Sequence, residues 1–415
     1  MPKTMLIACF DFPPNEGIGG RRWAKLAKGL AGAGWQVHVI KANPAGNSQT
    51  SGWDDDANSD GIIVHSLPRT YPESVSHPKG SVIDKIRYRL AIRKLKKIEQ
   101  GTIYDIAIGW KDAFQKKAIE LIEQHQITAV AATGAPFNLL YYATQLKETF
   151  PNLKVLCDYR DPWLTAQNYG MKGLEKSRMD AETKKQEYIF KNADWVTCPN
   201  DFLLQEIKDT AIEKPRAQFR SLTHFYDPDD LVNYLNGTET KGEKIRIIYG
   251  GAIYMGIEGT LKSLNSGLNH LKVSNQELYH RLEIRFYTPH VQHAHIFAEH
   301  PCVAFSPTIG KKFFTELRQS HAAMIFLADH NKNYLTTKFF EYLPFKVPLL
   351  YFGENGFVAK FIAENNLGIY VQHPSAELPP ALEKVSTSNS NFNQNFEASQ
   401  FSLEQKAHEL IKLFE

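Results

Sequence analysis

Short apolar runs alternate with longer stretches of helical periodicity along almost the whole of this chain. That alternation limits the architectures open to it. Neighbouring parallel strands need a crossover connection, and a helix is the usual one. Regular strand–helix alternation therefore predicts a parallel sheet with helices on both faces. The sequence predicts strands over 5–10, 35–40 and 61–65. The first two are joined by a loop, 11–20, and a helix from about 21 to 33 that Gly34 stops. Further strands are predicted over 104–109, 129–132, 154–158 and 194–198, and 219–226 closes the series. The polar stretches 227–230 and 236–244 mark a boundary. A second series opens with a strand, 244–249, that runs into Gly250-Gly251 and then a helix from about 258. Its other strands are predicted over 282–287, 303–305, 322–327, 349–352 and 368–371. The fold class read from this pattern is α/β, with two successive doubly wound halves. The domains are 1–226 and 227–400, and a final helix covers 402–415. Segments 43–60 and 71–79 read as irregular loops, and 386–395 as low-complexity.

A chain of 415 residues has room for two domains with full cores. Its formal net charge of +3 gives no overall footprint for nucleic acid. Four cysteines, Cys9, Cys157, Cys198 and Cys302, lie far apart with no C-x-x-C pair. Buried free thiols in a reducing compartment and no metal site are the expectation. No charged-then-apolar segment precedes the first strand, and no apolar run approaches the roughly 18 residues that span a bilayer. The expected location is cytoplasmic. One stretch, 85–97, interleaves seven basic residues with Ile, Leu and Tyr at near-helical spacing. It suits either a peripheral contact with an anionic membrane face or a solvated helix with a buried apolar stripe.

In open parallel sheets, ligands bind beyond the carboxyl ends of the strands. Four stretches stand at such ends. In the first, Thr336 and Thr337 read as a hydroxyl cap, Lys338 and Glu341 as the short helix after it, and a turn leads into the buried apolar run 349–352. Residues three apart share a helix face, so Lys338 and Glu341 can either reach one ligand or form an ordinary ion pair. A helix start carrying Lys and Thr suits phosphate, and a carboxylate one turn later suits the vicinal hydroxyls of a sugar. The second is Gly17-Ile-Gly-Gly-Arg-Arg22, where Gly19, Gly20 and Arg21 open a helix. It reads as an anion seat or as a tight turn with a basic helix start. The third, Asp158-Tyr-Arg-Asp-Pro-Trp163, follows a buried strand. Charges there are costly unless paired, so Asp158, Arg160 and Asp161 either pair internally or serve a ligand. The fourth, Gly250-Gly251-Ala-Ile-Tyr254, repeats the strand–glycine turn in the second half.

These pieces occur in one order, and in that order the chain resembles the retaining, nucleotide-sugar-dependent glycosyltransferases of family 4, which have the GT-B fold. The matching residues are Phe12-Pro-Pro-Asn-Glu-Gly-Ile-Gly-Gly-Arg-Arg-Trp23, Asp158-Tyr-Arg-Asp-Pro-Trp163, Tyr249-Gly-Gly-Ala-Ile-Tyr254 and Thr337-Lys-Phe-Phe-Glu-Tyr-Leu343 with Pro348. The resemblance implies two Rossmann-like domains facing a central cleft. It implies a hexosyltransferase-type enzyme of bacterial polysaccharide or glycolipid assembly. A nucleoside diphosphate sugar would be the donor substrate and a glycan or lipid-linked hydroxyl the acceptor, with no resident cofactor and no metal. Glu341 would hold the donor ribose. Lys338, with the backbone near Thr337 and Gly251, would neutralise the diphosphate. Gly19 and Gly20 would approach the diphosphate when the cleft closes, with Arg21 beside them. Asp158, Arg160 and Asp161 would join Lys338 as catalytic residues, standing on the acceptor side, or would brace the cleft. The chain departs from the family at Asn333, where a first glutamate is usual but whose amide would still hydrogen-bond a sugar hydroxyl of the donor, and after Gly251, where no Arg or Lys follows the glycine turn. Two other readings fit the same architecture: a sugar-nucleotide 2-epimerase, for which Asp158 and Asp161 would supply the paired acidic groups, and a non-catalytic sugar-nucleotide or glycan-binding module.

Overall fold

Strands whose side chains are apolar on both faces must be covered on both faces. The computed structural model describes residues 3–15, 17–44, 54–236, 242–254, 256–328, 332–387, 392 and 395–415. In it, every strand pairing is parallel. The chain divides into two compact units, 1–223 with 403–415, and 224–402. The expectation had set the boundary at 226.

The first unit holds a seven-stranded sheet in the order β3-β2-β1-β4-β5-β6-β7. Its strands are β1 (Thr4–Ala8), β2 (Gln36–Ala42), β3 (Ile62–Leu67), β4 (Ala129–Gly134), β5 (Lys154–Tyr159), β6 (Trp195–Cys198) and β7 (Gln218–Ser221). Central β1, β4 and β5 are almost wholly buried, whereas the edge strands β3 and β7 are buried only in part. The closing helix, Leu403–Phe414, packs on the first helix, Ile18–Gly32. Gly29 permits this approach, since a β-carbon there would lie 2.9 Å from the Ala407 methyl.

The second unit holds six strands in the order β10-β9-β8-β11-β12-β13. They are β8 (Ile245–Gly250), β9 (Leu282–Tyr287), β10 (Val303–Ser306), β11 (Ala322–Phe326), β12 (Leu349–Phe352) and β13 (Gly368–Val371). Along β12 the side chains alternate between two apolar clusters. Leu349 and Tyr351 face one, and Leu350 and Phe352 the other. Period-two alternation with both faces covered explains why this run has no polar residue.

The strand expected over 104–109 does not form; the segment is a series of turns. Asp105 is the reason. Its carboxylate accepts from the backbone N–H of Ala107 at 2.9 Å and from those of Phe137 and Asn138 at 2.7 and 3.0 Å. A side chain that bonds its own backbone two residues on offers the chain a turn in place of a ladder. The loop expected over 43–60 contains a short helix, Asp54–Ala57, and its residues 45–53 lie outside the described residues. The loop expected over 71–79 contains the turn of helix Glu73–Ser76, and most of 386–395 lies outside the described residues. Among the described residues, no helix is long and apolar enough to cross a membrane.

A histidine cluster around buried His38 is expected to make the first unit acid-sensitive. His38 on β2 is 1% exposed, and its Nδ1 lies 3.1 Å from His65 Nε2 on β3. The His125 ring centroid stands 4.2 Å from that of His38. Burial, then the positive ends of His125, His65 and Lys117, pull the His38 pKa down to about 4. The folded value is below the unfolded one, so between pH about 6.5 and 4 the unfolded chain binds the extra proton. Stability is therefore full above pH about 6.5 and falls as the pH drops towards 4, by about 3 kcal/mol from this group. Denaturant midpoints of wild type and His38→Leu across that range should diverge, with the variant showing the shallower fall. Parallel curves would remove His38 as the cause.

Candidate functional site

The first six strands of each unit have the same order once the second unit is numbered from its own first strand, and both sheets reverse direction of winding at one place. In the first unit that switch point lies between β1 and β4, and in the second between β8 and β11. A crevice opens at the carboxyl ends of strands at such a point. The predicted glycine loops stand there: Gly19 and Gly20 follow β1, and Gly250 and Gly251 end β8.

In the second unit, the Thr337–Tyr342 helix is fixed by its inward side chains. Phe339, Phe340 and Tyr342 are buried in the apolar cluster under β12, which leaves Thr337, Lys338 and Glu341 half-buried on the other side. The Lys338 ammonium donates to Tyr249 Oη at 2.7 Å and to the Ala252 carbonyl at 3.3 Å. It also lies 4.4 Å from the centroid of the Tyr249 ring and 5.8 Å from that of Tyr254. Both hydrogen-bond acceptors are neutral. Desolvation lowers its pKa to about 8, against the pull of the Glu341 carboxylate. The lysine stem crosses directly over Gly251, where a β-carbon would sit 2.4 Å from Lys338 Cε. Gly251 also has φ +109°, a backbone that L side chains rarely adopt. Glycine is required here on both counts.

The rest of the loop is held by groups that sequence reading passed over. Gly251 N–H donates to the Tyr287 carbonyl at 2.8 Å, and Ile253 N–H to His290 Nδ1 at 3.0 Å. Tyr342 Oη accepts from Gly250 N–H at 3.3 Å. Tyr249 Oη donates to the Ala252 carbonyl at 2.6 Å, so one tyrosine both shapes the turn and seats the lysine. The available signal was the pair of tyrosines that bracket Tyr249-Gly-Gly-Ala-Ile-Tyr254, which a strand-end reading absorbs as core.

Two expectations in this unit change. Thr336 does occupy the N-cap position, but its hydroxyl makes no capping bond; its carbonyl accepts from Phe339 N–H at 3.0 Å. Asn333 caps a different helix. Its Oδ1 accepts from Phe357 N–H at 2.9 Å, at the first turn of Phe357–Glu364. That oxygen is engaged in holding the fold, which takes it away from a sugar hydroxyl.

In the first unit, the Ile18–Gly32 helix starts after Gly17, at φ +138°, and presses on the loop that leaves β1. A β-carbon on Gly20 would meet the Asp11 carbonyl oxygen at 2.0 Å, and one on Gly19 would overlap the Arg160 guanidinium. Arg160 is held in place by two carbonyls at the carboxyl end of β4, Gly134 at 3.1 Å and Ala135 at 2.5 Å. The structure thus brings Gly19, Gly20 and Arg160 together at one helix start, with half-buried Arg21 next along the helix. Cation and helix N-terminus in contact make a seat for an anion.

The three charges of the 158–163 stretch separate into different roles. Asp158 is 0% exposed. Its carboxylate accepts from Trp23 Nε1 at 2.8 Å, Thr133 Oγ1 at 3.2 Å and Thr197 Oγ1 at 3.0 Å, with Arg22 Nε at 3.8 Å. Arg22 in turn donates to the Leu222 and Thr223 carbonyls at 2.6 and 2.9 Å. Asp158 ties the first helix to β4, β5 and β6 and presents nothing to a ligand, contrary to the catalytic role considered for it. The internal Arg160–Asp158 or Arg160–Asp161 pair left open by the sequence is not formed either. Arg160 bonds carbonyls, and Asp161 accepts from Tyr169 Oη at 2.8 Å.

Among the described residues, no three His, Cys, Asp or Glu side chains gather to hold a metal ion. An open cavity of about 670 Å³ in the first unit, lined in part by Asp201, Glu206 and Asp209, has no cation on its walls. Its charge is wrong for a diphosphate.

No protein-family model and no curated protein sequence matches the chain. Solved structures do match over nearly its full length. Sucrose-phosphate synthase from Thermosynechococcus elongatus aligns at TM-score 0.58 and 10% identity, over 99% of this chain and 98% of the other. WaaG, a glycosyltransferase involved in lipopolysaccharide biosynthesis, aligns at 0.55 and 11%, over 97% and 98%. UDP-GlcNAc 2-epimerase from Methanocaldococcus jannaschii aligns at 0.50 and 10%, over 100% and 99%. At such identities the likeness is one of fold. The chain has the GT-B fold, with two Rossmann-like units of seven and six parallel strands.

Proposed function

We propose that the chain is a glycosyltransferase that moves a sugar from a nucleoside diphosphate sugar to the hydroxyl of a glycan or lipid-linked acceptor, with retention at the anomeric carbon. The observation that carries this reading is Lys338. Its half-buried ammonium stands over the Gly251 turn at the switch point of the second sheet, and its two hydrogen-bond acceptors among the described residues are neutral. A desolvated cation at such a place suits an anionic ligand. In glycosyl transfer, positive charge builds on the sugar ring and negative charge on the leaving diphosphate. A fixed ammonium beside that diphosphate lowers the barrier because its orientation is already set. Glu341, one turn along the same helix, is assigned to the ribose hydroxyls. In the first unit, Arg160 and the amides around Gly19 and Gly20 are assigned to an anionic group of a substrate. No side chain is needed as general base if the leaving phosphate takes the acceptor proton on the same face.

A 2-epimerase is the second reading, since an enzyme of that name shares the fold. It requires acidic side chains at the sugar for proton transfer. Asp158 and Asp161 are the carboxylates considered for that task; Asp158 is enclosed by protein donors and Asp161 accepts from Tyr169 Oη, which disfavours this reading. A panel of UDP-, GDP- and dTDP-sugars separates the readings. One member should raise the melting temperature, corresponding to about 2.7 kcal/mol at a concentration of roughly a hundred Kd. Incubated with that donor, the protein should release nucleoside diphosphate in an acceptor-dependent manner. Acceptor-independent formation of an isomer would favour the epimerase, and no stabilisation by any member would sink both.

A further inference from the structure

The Val82–Ile98 helix has two faces, and only one is accounted for. Inward, Tyr88, Ala91, Ile92 and Leu95 pack into a small cluster with Val75 and Ile103. The helix is anchored at both ends. Ser81 Oγ accepts from Asp84 N–H at 3.1 Å, and Arg178 donates to the carbonyls of Lys96, Glu99 and Gly101. Yet Val82, Ile83, Ile86 and Leu90 are each more than half exposed. At 3.6 residues per turn these four fall within an arc of about 100°, opposite Leu95.

The basic residues complete the pattern. Arg93 and Lys97 continue the same arc towards the C-terminus and are exposed. Arg89 and Lys96 flank it on one side, Arg87 and Lys94 on the other, all exposed. Single exposed apolar residues are ordinary on a protein surface. Here, among the described residues, five of the 14 exposed large apolar side chains lie on this one helix, counting Ile98. The helix also carries seven basic residues and one acidic residue, a net +6. With +3 for the whole chain, the remaining residues sum to −3. The positive charge is therefore local, and it rims an aliphatic strip.

We propose that this face docks on an anionic lipid surface, with Val82, Ile83, Ile86 and Leu90 entering the headgroup–acyl boundary and the flanking Arg and Lys residues meeting lipid phosphates. An aliphatic strip edged on both sides by long cations of one sign has the chemistry of an interfacial helix. The long basic stems lie along the apolar strip while their heads reach outward. A nucleic acid would use the cations but leave the aliphatic strip in water.

The test is co-sedimentation of the full chain with vesicles of phosphatidylcholine alone and of an equimolar mixture with phosphatidylglycerol. Binding to the anionic vesicles should be tighter by about tenfold or more and should weaken as salt is added. The double variant Ile86→Glu/Leu90→Glu should lose it. Arg89→Glu/Arg93→Glu should weaken it by about tenfold or more through charge alone. All four positions are exposed, and circular dichroism would verify that each variant is folded. Failure to bind anionic vesicles, equal binding to both kinds, or binding that survives both double variants would overturn the proposal. Donor is absent from the assay, so its outcome is independent of the sugar-transfer reading.

Discussion

Lys338→Met is expected to lower kcat/KM for the donor by about a hundredfold or more, the usual scale for removing one fixed charge-stabilising donor. The fold should not suffer. Methionine keeps the length of the stem that crosses Gly251, and Tyr249 Oη retains its own bond to the Ala252 carbonyl. Stability at pH 7 should rise. The pKa of Lys338 is lowered to about 8, below the ordinary lysine value of 10.5. Between those values the unfolded chain binds the extra proton, so stability rises with pH through that window. Put the other way, the charged lysine is a stability cost at neutral pH that the variant removes. Donor binding has the opposite pH dependence in the wild type. It should weaken as the pH rises through about 8 and the ammonium is lost, and Lys338→Met should be flat over the same range. Isothermal titration with the donor selected by the sugar panel, from pH 7 to 9, measures this directly. Unchanged affinity in the variant, or equal pH slopes, would remove Lys338 from the phosphate site.

Asp158→Ala is expected to destabilise the first unit by about 3–5 kcal/mol, the range seen when one member of a buried ion pair is removed. The alanine would remove the anion beside the buried Arg22 guanidinium and leave the Trp23 indole and the hydroxyls of Thr133 and Thr197 without their acceptor. Because the chain has two compact units, denaturation should be followed with a probe in each, since a single two-state fit is not warranted. The transition of the second unit, and binding of donor to it, should persist. Asp161→Ala, which loses one bond to Tyr169, should leave both transitions within about 1 kcal/mol of wild type. An Asp158→Ala protein that is as stable as wild type but inactive would return Asp158 to the chemistry.

The sheet architecture was legible because periodicity is a local property. The run over 349–352 is apolar at every position because both of its faces are covered, and that need is written in four consecutive letters. The segment over 104–109 is also mostly apolar, apart from Asp105 and Gly109, but folds as turns. The partners of Asp105 that decide this, the amides of Phe137 and Asn138, stand 32 and 33 residues away. The outward placement of Lys338 and Glu341 was legible too, since their neighbours Phe339, Phe340 and Tyr342 claim the inner face of the helix.

Function-bearing charges were harder to sort. Asp158, Arg160 and Asp161 look alike in a five-residue window, yet one is enclosed, one braces the first helix and one is held by a tyrosine. The helix at 82–98 posed the same difficulty. Its apolar residues are numerous enough for two stripes, and only the packing shows that Leu95 faces the interior while Ile86 and Leu90 face out.

The sequence by itself determined the two parallel sheets, the glycine turns at the strand ends and the pairing of Lys338 with Glu341 on one helix face. Each follows from spacing within a single segment. The tertiary structure decided which charges are enclosed by protein groups and which stand half-buried at the strand ends. Asp158 is closed off by Trp23, 135 residues away, and Lys338 is seated by Tyr249, 89 residues away. Desolvation and pairing act through space, so the state of a charge is fixed by neighbours that no local pattern in the chain can name.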